Sequence, residues 1–492
     1  MADEREVRIQ RLQTLREMGI NPYPNDVERT HTIAEVLRHF DELAGPEGSL
    51  TLVGRIRLLR EMGKVTFAKL EDGSGSIQIY LRANDLGPET YRTIKLLDLG
   101  DFIQVSGFLF VTRTGERTLH VKNYRLLTKS LRPLPEKYHG LEDKEIRQRK
   151  RYLDLIANGE EIKRVFVIRS RVISTMRRYL DDQGYIEVET PTLQPIYGGA
   201  TARPFITHHH TLDRDLYLRI AVELYLKRLI VGGFERVYEI GRNFRNEGID
   251  RSHNPEFTVM ECYQAYADYE EMQRLVEEMI AFIAREVKGT TRITYQGTEI
   301  DLTPPWRRMS LLEAIKQYTG IDTERYPDRE SLAEEIRAHG YEADPKLGRG
   351  RLIDNLKGAM LRSGHPELKQ AFFLTDYPLD VSPLTKQHRS VPGVVERFQP
   401  FIGGLECGNA FTELNDPLDQ RARFEDQARQ RALGDEEAQV LDEDFLEALE
   451  VGMPPTGGIG IGVDRLAMLM ADVETIRDVI LFPTMRKTAE EQ

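Results

Sequence analysis

The chain has 492 residues, 40% of them hydrophobic, enough for two or three domains with sizeable cores. No apolar run approaches the roughly 20 residues needed to span a bilayer, and the opening Met1-Ala2-Asp3-Glu4-Arg5 lacks a signal peptide's apolar stretch, so no membrane role is expected. Cys262 and Cys407 are too few for a disulfide framework and are not spaced as a zinc site, which predicts a reducing cytoplasm; the net charge of -12 does not exclude nucleic acid, because a global sum hides local patches.

A helix is predicted from about Glu6 to Met18, followed by Asn21-Pro22-Tyr23-Pro24. From about Leu50 to Leu127, short alternating segments such as Thr51 to Ile56 and Ser76 to Leu81 are separated by Gly63, Gly73, Gly75, Gly100 and Gly115, the pattern of a small all-β barrel. Phe67 and Gln78 fall on neighbouring strands joined by the Gly73-Ser74-Gly75 turn. A strand phenylalanine is usually core, but an exposed one offers a stacking surface to a single-stranded base. Leu131-Arg132-Pro133-Leu134-Pro135 reads as a linker, and Lys144, Arg147, Arg149, Lys150 and Arg151 as a basic, solvated face.

Beyond the linker, strands and helices mix. A helix from Val165 to Leu180 leads through Gly184 into Tyr185 to Pro191, a strand ended by proline as an edge strand would be. His208-His209-His210 is expected at a turn or strand end, since no acidic or cysteine partner follows at ligand spacing. Glu235 to Arg245 alternates as a strand and leads into a loop carrying Arg245, Glu247, Arg251 and His253, a set suited to an anionic ligand. Phe257, Val259, Glu261 and Tyr263 then lie two apart and share one strand face, though an ordinary salt-bridged hairpin would look similar. Arg307 to about Leu368 is a charged, helix-rich insertion, and Asn409, Phe411 and Glu413 fall on one strand face. Ala432 to Asp464 contains no lysine or arginine and is expected to be a solvated helix or loop. Gly457 to Gly462 forms a glycine-rich strand before an apolar helix that begins near Arg465; bare glycines let a ligand lie against a strand. No dinucleotide-fold glycine spacing and no Walker A sequence occurs.

Phe244-Arg245-Asn246-Glu247 with its hairpin resembles motif 2 of the class II aminoacyl-tRNA synthetases, Gly457 to Arg465 resembles motif 3, and the helix, strand and proline before them resemble motif 1. The resemblance implies an α+β fold: a catalytic domain built on an antiparallel sheet, preceded by an N-terminal all-β OB-type barrel. It implies an anticodon-binding domain over 1–140, a linker or hinge over 141–160, a catalytic domain over 161–492 with the insertion at about 307–368, and a homodimer formed through motif 1. Arg245 and Arg465 would be the catalytic arginines. Arg245 would hold the α-phosphate, Arg465 and His253 the γ-phosphate, Glu247 the adenine edge and Phe257 the adenine face, with Glu406 on magnesium.

Tyr197-Gly198-Gly199-Ala200, Ala221 to Lys227 and Asn409 to Asp416 are similar to the lysyl-tRNA synthetases, as is Met62 to Phe67 with Gln78, where the phenylalanine and glutamine would contact an anticodon base. Gly199, Glu223, Glu261, Tyr263, Asn409, Phe411 and Glu413 would then form a lysine pocket, which suits an ammonium on a four-carbon stem; an aspartate substrate would want a cation there instead. L-Lysine, ATP with Mg2+, and tRNA(Lys) bound through anticodon and acceptor end are the implied partners. This sequence departs from the family in two places: Asn123 stands where many members carry a barrel glutamate, and Gln399 where many carry a second magnesium glutamate. The Gln399 carbonyl is a neutral candidate ligand. An aspartyl or asparaginyl synthetase would share the barrel and motifs without the acidic pocket, and a non-catalytic tRNA-binding paralogue would be expected to lose Arg245, Glu406 or Arg465.

Overall fold

The computed structural model describes residues 3–45, 49–135, 141–345, 347–432 and 440–487. Two compact units emerge, Met1–Glu142 and Asp143–Gln492. In the first, α1 (Glu4–Glu17) starts on an Asp3 cap and buries Leu12 and Leu15. Five strands follow, β1 (Leu50–Met62), β2 (Val65–Glu71), β3 (Ser76–Arg82), β4 (Phe102–Val111) and β5 (Arg117–Thr128), closed into a barrel in the order β1-β2-β3-β5-β4. Period-two alternation sends Leu52, Ile79, Val105 and Leu119 into its core, which leaves Phe67, Gln78 and Tyr80 half-buried on the alternate positions.

The second unit starts earlier than a hinge over 141–160 would allow, because Lys144–Arg149 and Arg151–Ala157 are helices packed into it. Arg151 is the reason. Its buried guanidinium bonds Asp154 Oδ2 at 2.7 Å and the carbonyls of Arg477 and Leu481 at 3.1 and 3.2 Å, so it is a structural anchor and not part of a solvated basic face.

The rest of this unit is organised by α2 (Gly159–Asp182), β6 (Ile186–Glu187), α3 (Glu223–Val231), β7 (Arg236–Phe244), β8 (Glu256–Ala265), α4 (Tyr269–Lys288), β9 (Arg307–Ser310), α5 (Arg349–Leu361), β10 (Phe372–Pro378), β11 (Val394–Ile402), β12 (Gly408–Thr412), β13 (Thr456–Gly462) and α6 (Val463–Ala471). The main sheet runs β9-β10-β11-β12-β13-β8-β7-β6, with the short Leu405–Glu406 strand paired off β11. All its internal pairs are antiparallel and only the outermost pairs, β9 with β10 and β7 with β6, are parallel. The fold is therefore the expected α+β class.

Helices α2, α4 and α6 cover one face, where Val172, Met176, Met279, Leu466 and Met470 pack with Tyr238, Met260, Cys262 and Ile461. The alternate residues of β8, β12 and β13 point the other way. The charged stretch from 307 opens with β9 at the sheet edge, which helix-rich composition concealed; the helices after it share a core of Ile315, Leu332 and Ile353 with Phe372 and Phe401. Of the acidic run from Ala432, residues 433–439 lie outside the described residues; beyond them Glu443–Val451 is a helix that buries Phe445, Leu446 and Leu449. His208 and His209 end the strand Ile206–His209, and both are exposed.

Candidate active site

A cavity of about 440 Å³ lies on the sheet face opposite the helices, and every residue expected to touch ATP or the amino acid lines it. Strand register explains the convergence. Glu261 pairs with Gly460 and Gly460 with Asn409 in one row; Tyr263 pairs with Gly458 and Gly458 with Phe411 in the next. The floor between these side chains is bare glycine, and Gly458 in particular has no room for a side chain. A Cβ on Gly458 would stand 2.5 Å from the Tyr263 ring and collide with Glu413, and one on Gly460 would stand 3.4 Å from Glu261.

The closed end of the cavity is acidic. Glu223 opens α3, Glu413 lies just past β12, and Glu261 comes from β8; all three are buried. Gly199, at φ +84°, fits beside them, where a Cβ would stand 3.1 Å from both Ala221 and Glu223. Tyr263 OH donates to Glu261 Oε2 at 3.2 Å. Burial, and then the Glu223 charge, push the Glu261 carboxyl up to about 7. Glu413 Oε1 is buried without a hydrogen-bonding partner among the described residues.

Sequence reasoning missed two cations here. Lys227 is fully buried; its Nζ donates to Glu223 Oε1 at 2.6 Å and pairs with Glu413 Oε2. Burial alone would lower its pKa, but the two carboxylates raise it above the ordinary lysine value. The four-residue spacing from Glu223 along one helix face was the available signal. Arg397 is the other: its Nε donates to Asn409 Oδ1 at 2.7 Å and its Nη1 to Val381 O and Ser382 Oγ at 2.9 and 3.0 Å, which fixes the Asn409 amide.

The open end carries the arginines. The Arg245 guanidinium lies 5.0 Å from the Phe257 ring centre, with Nε buried and unpartnered among the described residues, a donor ready for an anion. Its backbone is held by Arg245 N donating to Pro255 O at 2.8 Å. Arg465 sits in the first turn of α6, where Nη1 donates to Glu406 O at 2.5 Å and Nη2 lies 3.4 Å from His253 Nε2. Asp464 ties this turn to β8 by accepting from Thr258 N at 2.6 Å. Burial raises the Asp250 carboxyl, but hydrogen bonds from His253 and the Ser252 amide prevail and hold it down to about 2, so an anion steadies His253. Glu247 is exposed at the rim. Arg251 lies outside the cavity lining and pairs with Glu474 at 2.8 Å.

Glu406 and Gln399 differ in their fitness for magnesium. The Glu406 side chain is 37% exposed and offers a carboxylate to the cavity, which suits an ion that keeps most of its water and shares phosphate oxygens. Gln399 does not fit. Its Oε1 already accepts from Lys357 Nζ at 3.0 Å and from Tyr377 OH, and a carbonyl oxygen has only two lone pairs. Among the described residues no three His, Cys, Asp or Glu side chains cluster as a metal site.

The barrel has a surface of its own. Phe67 faces Tyr80 across β2 and β3 with ring centres 5.2 Å apart, and Tyr80 continues to His120 at 5.0 Å and Phe110 at 5.9 Å. Gln78 Nε2 donates to Thr118 Oγ1 at 2.9 Å. Sequence reasoning found two members of this patch and missed Tyr80, Phe110 and His120, although Tyr80 lies two residues from Gln78. Asn123 is exposed opposite Ser106.

Comparison with known proteins agrees with this geometry. Residues 143–486 match the family described as tRNA synthetases class II (D, K and N), and residues 50–127 match the OB-fold nucleic acid binding domain. Lysine–tRNA ligases of Moorella thermoacetica and Chloroflexus aurantiacus are 53% and 54% identical, each over 98% of this chain and 98% of that protein. That of Roseiflexus castenholzii is 55% identical over 97% of this chain and 98% of its own length. A class II catalytic sheet, an OB barrel and full-length similarity of this degree lead to one conclusion: the chain belongs to the class II tRNA synthetases (D, K and N), among the lysine–tRNA ligases of that family.

Proposed function

We propose that this chain activates L-lysine with ATP to lysyl-adenylate and passes the lysyl group to the 3′ end of tRNA(Lys), releasing pyrophosphate and then AMP. One observation carries the reading: Glu223, Glu261 and Glu413 converge at the closed end of the cavity, and Lys227 pairs with Glu223 and Glu413 there. Burial raises all three carboxyls and Lys227 offsets it at Glu223 and Glu413, so an incoming ammonium restores charge balance there, with Glu413 Oε1, unpartnered among the described residues, as its receptor. Phe411 and Tyr263 wall the stem.

The chemistry needs position and charge more than proton transfer. A lysine carboxylate is ionised at neutral pH, so its oxygen attacks the α-phosphorus while the bond to the bridging oxygen of the leaving pyrophosphate breaks. Arg245 neutralises the α-phosphate and aligns the incoming carboxylate; Phe257 and Arg465 hold the adenine between them; Arg465 and His253 take the charge of the departing end. Glu406 would hold magnesium, which screens phosphate charge when bound. A tRNA ribose hydroxyl then attacks the lysyl carbonyl and AMP leaves.

The barrel patch at Phe67 and Gln78 suits an anticodon base by stacking and hydrogen bonding. A homodimer through the motif 1 segment is supported by exposed apolar side chains there, with Ile186 51% and Leu193 47% accessible. The reading puts the enzyme in the cytoplasm, and no helix among the described residues is long and apolar enough to cross a membrane. Pyrophosphate exchange with each of the twenty amino acids tests it: lysine alone supports exchange, and exchange driven by aspartate or asparagine would overturn it.

A further inference from the structure

Taking this cavity as an ATP site, a lysine of the protein's own lies behind its magnesium end. Helix α5 turns Leu352, Ile353, Leu356 and Met360 inward, and Lys357 goes with them, 8% exposed. Gly350 lets the helix approach closely, since a Cβ there would stand 2.8 Å from Val381 and 3.0 Å from Asp380. At that depth Lys357 Nζ donates to Gln399 Oε1 at 3.0 Å, pairs with Asp354 Oδ1 at 2.7 Å and stands 3.9 Å from Glu406 Oε2. It also lies 5.5 Å from the centre of the Tyr377 ring, whose hydroxyl takes the other lone pair of Gln399 Oε1.

We propose that Lys357 is a built-in cation that takes the place of a metal ion between positions 399 and 406. A metal at Gln399 would need a free oxygen lone pair and would have to tolerate an ammonium within hydrogen-bonding distance of its ligand; neither condition is met. The neutral side chain at 399 belongs to the same device. A carboxylate there would pair fully with Lys357, whereas the amide leaves the ammonium shared by Asp354 and Glu406. Lys357 is absent from the cavity lining, so it is a positioning residue: it turns Gln399 Oε1 away from the nucleotide and steadies the Glu406 carboxylate that faces it. The helical insertion thus contributes to the active site through one side chain.

The test is a count of bound metal. The full-length enzyme is titrated with Mn2+ in the presence of a non-hydrolysable ATP analogue and free Mn2+ is read by electron paramagnetic resonance. The double variant Lys357→Met/Gln399→Glu binds one Mn2+ more per active site than the unaltered enzyme, and Gln399→Glu alone binds the same number, because its new carboxylate pairs with Lys357. Equal counts in the unaltered enzyme and the double variant overturn the proposal, as does an extra ion in Gln399→Glu alone. Should the double variant not fold, Lys357→Met frees one lone pair of Gln399 and tightens Mn2+ by about tenfold, the scale of effects from groups behind a metal ligand; no change overturns the proposal. Lysine-dependent pyrophosphate exchange on the same unaltered preparation reports separately on the functional reading.

Discussion

The two ends of the cavity solve opposite problems. At the proposed lysine end the charges are buried, and Lys227 pairs with both Glu223 and Glu413. At the proposed nucleotide end Arg245 and Arg465 are half-buried, His253 and Glu247 are exposed, and Arg245 Nε has no partner among the described residues. The contrast follows from the ligands. Lysine must be told from other amino acids by one ammonium group, so its receptor is rigid and desolvated, where an unmatched charge costs most. ATP brings several negative charges and departs in two pieces, pyrophosphate and then AMP, so its proposed receptors can stay near water and release both products.

The largest expected effect breaks the lysine end. Glu413→Gln deprives both Lys227 and the substrate of a partner, so the enzyme loses about 3 to 5 kcal/mol of stability, as breaking a buried ion pair does. Denaturant unfolding together with lysine KM in pyrophosphate exchange checks this; a variant with raised KM and unchanged stability would mean that Lys227 does not depend on Glu413. Arg245→Ala breaks the nucleotide end. It lowers kcat for exchange by a factor corresponding to about 3 to 4 kcal/mol, the worth of a donor aimed at developing charge, while the unfolding midpoint moves little. A loss confined to lysine KM would move Arg245 out of the phosphate site.

Phe67→Ala contrasts the barrel with both ends. It weakens tRNA binding by about 1 to 3 kcal/mol, the usual worth of one base stack, and leaves lysine-dependent exchange unchanged. Fluorescence titration with tRNA(Lys) beside the exchange assay separates the two effects, and a fall in exchange would contradict the division of labour. The smallest effect sharpens the lysine end by pH. Burial, and then the Glu223 charge, push the Glu261 carboxyl up to about 7, so that below that pH it is protonated and offers no charge to the substrate. Lysine KM therefore rises as pH falls below about 7, by at most tenfold or about 1.4 kcal/mol per unit, and Glu261→Gln removes that slope. A slope that survives in the variant belongs to another group.

Much of the site could be read before any fold was known because it lies on strands. Phe257, Glu261 and Tyr263 had to share a face by their two-residue spacing, and so did Asn409, Phe411 and Glu413. Family resemblance then joined the segments. The helix after Gly462 likewise put Arg465 in a first turn. The same local logic misjudged Arg151, whose basic neighbours imply a solvated face although its own guanidinium is buried against carbonyls from the other end of the chain. It also missed β9, because a charged edge strand of four residues carries little hydrophobic pattern.

Sequence by itself determined which side chains can line the cavity: alternation along β8, β12 and β13, the polar loop, and the glycines that leave the floor bare are properties of local geometry. Tertiary structure decided how those charges are balanced. Lys227 lies between Glu223 and Glu413 only because α3 packs on the sheet, Arg397 reaches Asn409 only across the β11–β12 pairing, and Lys357 reaches Gln399 only because Gly350 lets α5 close on the chain near Val381. The sign of a charge is written in the residue type, but the energy of a buried charge depends on which opposite charge stands within a few ångströms, and that is set by packing between distant segments.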